Sequence, residues 1–111
     1  MIDGEGIPAS NTAVIQADVT SEESCKDAVA KTVEHFGSVS ILVNIVGVGG
    51  AMGDATKVDL AAWDRDIRIN LTSMVMMARH AIPEMRKIGR GAIVNLSSVS
   101  GRMSVLYSTY R

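Results

Sequence analysis

The chain has a single cysteine, Cys25, among 111 residues. One thiol closes no internal disulfide. Zinc-type Cys and His spacing is absent as well: His35 and His80 stand isolated on predicted helices and read as ordinary surface or core residues. No apolar run reaches the roughly 18 residues of a membrane span. The start, Met1-Ile2-Asp3-Gly4-Glu5-Gly6, has neither a basic cluster nor an apolar segment, so it does not read as a secretory signal. A lone thiol and no signal give the reducing cytoplasm as the expected location. The formal net charge is −1, which offers no grip for nucleic acid or an anionic membrane. Repeats and low-complexity tracts are also lacking. What the chain does have is apolar content: 47% of its residues are hydrophobic, enough for one small packed domain.

The most informative stretch is 91–101, Gly-Ala-Ile-Val-Asn-Leu-Ser-Ser-Val-Ser-Gly. An apolar run (Ala92, Ile93, Val94) followed by hydroxyls and a glycine reads as a buried parallel strand with polar residues at its carboxyl end. Ligands of open α/β sheets bind at that end, so Ser97 and Ser98 stand where chemistry is expected. Other elements fall into place around it. Residues 1–12 are polar and Gly-rich and read as a loop or frayed tail. Ala13–Ala17 is a short apolar run that predicts a strand. Thr20-Ser21-Glu22-Glu23 carries a capping-box signature. A helix follows with Cys25, Ala28, Val29, Val33 and Phe36 at helical spacing, and Gly37 stops it. Ser40–Asn44 predicts a second strand, and Gly47, Gly49, Gly50 and Gly53 loosen the loop after it. A long helix is predicted from about Asp59, its N-cap, to Lys87, with Pro83 kinking or ending it.

Strands alternating with helices imply a parallel sheet with right-handed crossovers. Along the long helix, Trp63, Ile67, Leu71, Met74 and Ala78 form one stripe. Met76, Met77 and Ile82 add apolar surface elsewhere, so the helix reads as covered on more than one side. Either it is simply deeply buried, with methionine filling gaps, or one face meets another subunit.

From about Val14 to Gly101 the chain resembles the short-chain dehydrogenase/reductase family. Four stretches carry the likeness, in the family's order. Asp18-Val19 is similar to the pair that contacts the adenine ring. Asn44-Ile45-Val46-Gly47 resembles the Asn-Asn-Ala-Gly segment. Asn70, in Ile69-Asn70-Leu71, resembles the structural and catalytic asparagine of the long helix. Ile93–Ser98 resembles the strand that carries the active-site serine, which aligns with Ser98. The resemblance implies an α/β fold, a partial Rossmann-like doubly wound parallel sheet (β-α-β-α-β) over 13–111. It also implies hydride transfer between NAD or NADP and a small-molecule alcohol or carbonyl. Asp18, Val19, Asn44 and Gly47 would then line the cofactor. The family further implies a homo-oligomer formed through the helix at 59–87.

Departures from the family are specific. Ile45 and Val46 replace the second Asn and the Ala, removing an amide side chain near the central strand. The family's first two strands and Gly-rich phosphate loop have no counterpart. Gly4 and Gly6 are flanked by neither strand nor helix and make no dinucleotide fingerprint. The catalytic tyrosine has two candidates. Spacing from Ser98 favours Tyr110, whereas local pattern favours Tyr107, which has Arg111 one helical turn later where the family has lysine. A free tyrosine titrates near pH 10, so acting near neutrality requires a neighbouring cation. Arginine's fixed fork is a poor stand-in for that lysine. Two readings therefore stay open: an oxidoreductase of which this chain is an incomplete, inactive piece, or a non-catalytic remnant serving as a partner-binding α/β module. In the family's strand order, two strand places separate 13–17 from the strand at 41–44. That leaves a gap of about 14 Å at the usual strand spacing, so residues 14–17 should either collapse onto 41–44 or stay unpaired.

Overall fold

Short polar residues set the first helix. In the computed structural model, which describes residues 8–51 and 54–98, helix α1 spans Glu22–Phe36. Its N-cap is Ser21, whose hydroxyl accepts from the Ser24 amide at 3.3 Å. The cap thus falls one residue later than the Thr20–Glu23 box predicts. Thr20 is occupied elsewhere, because its amide and hydroxyl both donate to Asp18 Oδ1, at 2.9 and 2.7 Å. Such local bonds compete with helix capping. Gly37 closes α1 as expected, in the left-handed region at φ 82°, with its amide on the Val33 carbonyl at 2.7 Å.

Strands β1 (Ile41–Asn44) and β2 (Ala92–Asn95) pair in parallel, with Ile41 opposite Ala92 and Asn44 opposite Asn95. The crossover between them is one long helical rod. Asp59 caps it by accepting from the Ala61 amide at 2.9 Å. It runs as α2 (Leu60–Ile67), a π-helical segment (Arg68–Thr72) and α3 (Ser73–Lys87). Pro83 lies inside α3 and does not end it. The core is a cluster of Val29, Val39, Leu42, Ala81 and Met85, with Val33, Met77 and Ala78 packed against it. It joins α1, β1 and α3. Gly91 is required where α3 passes the start of β2, since a Cβ there would lie 2.6–2.7 Å from the Met85 side chain.

Two expectations are corrected. Residues 13–17 form no strand: they carry no regular structure, and Val14 is 101% exposed. An extended segment becomes a strand only beside a partner, and the described sheet holds β1 and β2 alone. The stripe on the long helix is also displaced. Leu60, Trp63, Ile67, Leu71 and Val75 are exposed, while Met76, Ala81 and Met85 are buried. The π segment has more residues per turn than an α-helix. Of the stripe expected from sequence, Trp63, Ile67 and Leu71 are exposed, and Ala78 packs against the core cluster.

Candidate active site

Parallel pairing in register puts the carboxyl ends of both strands on one edge. There Asn44, 8% exposed, donates from Nδ2 to Asn95 Oδ1 at 2.7 Å. The Leu96 amide then donates to the Asn44 carbonyl at 2.9 Å, carrying the pairing one residue beyond β2. The chain leaving β1 (residues 45–51) and the chain leaving β2 (Leu96, Ser97, Ser98) therefore start from the same edge. Ser97 and Ser98 are exposed. Ile45 and Val46 are 63% and 51% exposed, so the two residues that depart from the family pattern fill no core space.

Asn70 grips the loop after β1. Its Oδ1 accepts from the Val48 amide at 2.8 Å and its Nδ2 donates to the Val48 carbonyl at 3.2 Å. The side-chain amide satisfies both backbone groups of one residue, as a neighbouring strand would. Gly47 permits the approach, because a Cβ there would stand 3.3 Å from Asn70 Oδ1. Four residues before Asn70 on the rod, Asp66 is buried, and its Oδ2 has no hydrogen-bond partner among the described residues. A Cβ on Gly50 would lie 3.7 Å from that oxygen.

The Asp18–Val19 pair sits in a tight turn. Asp18 donates its amide to Ser24 Oγ at 2.8 Å, and its carbonyl accepts from the Ser21 amide at 3.1 Å. The Cys25 thiol donates to the Val19 carbonyl at 3.6 Å. From the rod, Arg68 donates Nε to the Thr20 carbonyl at 2.8 Å. The Thr20 hydroxyl and then the Thr20 amide hold the Asp18 carboxyl below the usual aspartate range; burial opposes them, and the Arg68 charge adds the smallest lowering effect. Burial raises the Cys25 thiol, as do the Asp18 and Glu22 charges. It is a packed anchor rather than a nucleophile. Val19 shares a cavity of about 110 Å³ with Asn44, Ile45 and Val46 at the end of β1.

Of the residues singled out from sequence, the structure brings Asn44, Gly47 and Asn70 together at the sheet edge and sets Val19 across a cavity from Asn44. Tyr107, Tyr110, Gly53 and Gly101 lie outside the described residues. Sequence reasoning misses Asn95, Arg68 and Asp66. Asn95 could be found by aligning the two strands on their terminal asparagines. Arg68 acts on a turn 48 residues away and leaves no local signal. Among the described residues no group of His, Cys, Asp or Glu could hold a metal, and no helix is long and apolar enough to cross a membrane. His35 stacks edge-on against Phe36 at 4.5 Å, and His80 Nε2 lies 3.6 Å from Glu22 Oε1.

Known proteins resemble this chain in sequence and fold. The chain is 37% identical over 87 residues to cis-4-hydroxycyclohexanecarboxylate dehydrogenase of Sinomonas cyclohexanicum, covering 78% of this chain and 35% of that protein. It is 42% identical over 88 residues to nodulation protein G of Azospirillum brasilense, covering 79% of this chain and 35% of the relative. It thus spans about a third of the length of these relatives. Among solved structures, ElxO with NADP bound superposes with a TM-score of 0.80 at 33% identity, over 88% of this chain and 40% of that one. An NADH-dependent reductase complexed with NAD superposes with a TM-score of 0.73 at 28% identity, over 79% of this chain and 38% of that one. The profile of the short chain dehydrogenases matches residues 5–110. The chain therefore has the α/β, Rossmann-like architecture of that group over part of its domain, and it belongs to the short-chain dehydrogenase family.

Proposed function

We propose that this chain is the part of an NAD(P)-dependent oxidoreductase that carries the sheet edge where hydride passes between the nicotinamide and a small alcohol or carbonyl. The observation that carries this reading is the grip of Asn70 on both backbone groups of Val48, beside Gly47 and the Asn44–Asn95 pair. It fixes a loop of low bulk at the carboxyl edge from which Ser98 also departs.

The residues present fit such a cofactor. Gly47 brings no side chain of its own to this edge. Both Thr20 bonds fall on Asp18 Oδ1, which leaves Oδ2 to accept from the amino group of an adenine. The Val19–Asn44 cavity joins the two sides. The cofactor, when bound, supplies the hydride chemistry, and the protein supplies orientation and electrostatics. Asp18 and Val19 would hold the adenine end, and Asn44 and Gly47 would line the nicotinamide end. The Ser98 hydroxyl would hydrogen-bond the substrate oxygen, and a tyrosine, Tyr110 or Tyr107, would exchange the proton with it. Residues 1–111 contain no Gly-rich strand–turn–helix to receive the pyrophosphate. The 111-residue polypeptide by itself therefore binds a dinucleotide weakly and shows no measurable turnover.

A second reading, a non-catalytic partner-binding module, is favoured by the exposed line Leu60, Trp63, Ile67, Leu71 and Val75. Thermal shift separates the two, since a ligand bound to the native state raises the melting midpoint. The oxidoreductase reading expects a rise with millimolar NAD or NADP. An unchanged midpoint with both contradicts it.

A further inference from the structure

Two side chains of one helical turn each hold a different loop. Asn70 holds Val48 after β1, and Arg68 donates Nε to the Thr20 carbonyl at 2.8 Å, closing the turn that presents Asp18 and Val19. Both belong to the π segment Arg68–Thr72. The other anchors of the Asp18–Thr20 turn, Ser24 and Cys25, belong to α1. Among the described residues, Arg68 provides the hydrogen bond that ties this turn to the rod bearing Asn70. A dinucleotide must span both loops, so their separation has to be fixed by something that touches each. We propose that Arg68 is a positioning residue for the adenine end of the cofactor. It locks the Asp18–Val19 turn to the same π turn that locks the Gly47–Val48 loop. This rests on the nicotinamide-cofactor reading above.

Geometry and charge agree with this role. The bond to Thr20 is made through Nε, so one nitrogen of the guanidinium serves the turn. Its Nη2 rests 4.0 Å from Met76 Sδ, over a side chain that is buried. That contact narrows the directions Nε can take. The Arg68 charge also helps keep Asp18 ionised, and an ionised carboxylate is the form that accepts from an adenine amino group without donating. Arg68 is itself exposed, so its removal leaves the core cluster intact.

The test is a titration of the full chain with adenosine 5′-monophosphate, followed by residue-resolved amide resonances, for wild type, Arg68→Ala and Arg68→Lys. Wild type is expected to respond at Asp18 and Val19. Arg68→Ala should bind about tenfold more weakly, the loss typical of one charge-assisted hydrogen bond. Arg68→Lys keeps a charge and one donor, so it should stay within about threefold of wild type. Equal binding by Arg68→Ala and wild type overturns the proposal while leaving the cofactor reading in place. Binding by Arg68→Lys as weak as by Arg68→Ala also overturns it, because the donor would then not be what matters. A wild-type chain that shows no response at Asp18 and Val19 removes the adenine role itself, and this proposal with it.

Discussion

Single residues carry the candidate site, and each can be probed alone. Asn70 supplies two bonds to Val48, one to its amide and one to its carbonyl. Asn70→Ala should cost about 1–2 kcal/mol in chemical denaturation, and the Val48 amide should exchange faster than in wild type. An unchanged Val48 exchange rate would mean the loop is held by other means. Asp18 gives a pH signature. Its folded-state pKa is depressed, first by the Thr20 hydroxyl and next by the Thr20 amide. Its contribution to the turn is therefore present above the ordinary aspartate value of about 3.9 and fades as pH falls through the lower folded value. The Thr20 amide resonance should titrate with a midpoint below that ordinary value. A midpoint at or above it contradicts the bonding described.

At the scale of elements, Gly91 and Met85 set how closely β2 approaches α3. Gly91→Ala places a methyl 2.6–2.7 Å from Met85, and the crowded atoms include Met85 Cβ, which cannot swing away. The expected cost is about 1–3 kcal/mol. Combined with Met85→Ala, the two losses should be less than additive, as for residues in contact. Strict additivity in a denaturation cycle would refute the clash. The outward line Leu60, Trp63, Ile67, Leu71 and Val75 leads to a second expectation. Each large apolar side chain removed from water gains roughly 1.5–3 kcal/mol, and a symmetric pairing of two such helices closes on itself. Leu71→Asp should therefore shift sedimentation of the protein toward monomer, and a wild type already monomeric at micromolar concentration would count against a helix-mediated dimer.

The elements also show what a sequence encodes locally and what it does not. β1, β2, α1 and the rod from Asp59 to Lys87 were legible, because apolar runs, caps and glycine stops are short-range signals. The cap moved by one residue because Thr20 bonds to Asp18 instead. The π turn was not legible, because no residue type announces it. Residues 13–17 read as a strand, but a strand is a property of a pair, and among the described residues they pair with no strand. In the site, Asn44, Gly47 and Asn70 were readable through family resemblance. The Asn44–Asn95 bond depended on strand register, and the Arg68–Thr20 bond on tertiary approach across 48 residues.

For the molecule as a whole, burial is one-sided. In β1, Leu42 and Asn44 face inward while Ile41 and Val43 are exposed, and β2 is exposed at all four positions. The Cα radius of gyration is 17.5 Å, against about 13 Å for a compact domain of 100 residues. A two-stranded sheet draws much of its stability from what packs on it, and here α1 and α3 cover one face. The best-defined polar architecture is instead at the carboxyl edge, where the rod holds one loop through Asn70 and the Asp18–Thr20 turn through Arg68. The central claim is that this edge receives a nicotinamide dinucleotide. Its most direct test is a residue-resolved titration of the chain with NAD and with NADP. Responses are expected to converge on Asp18, Val19, Gly47, Val48 and Ser98. Responses confined to other surfaces, or none at millimolar cofactor, would contradict it.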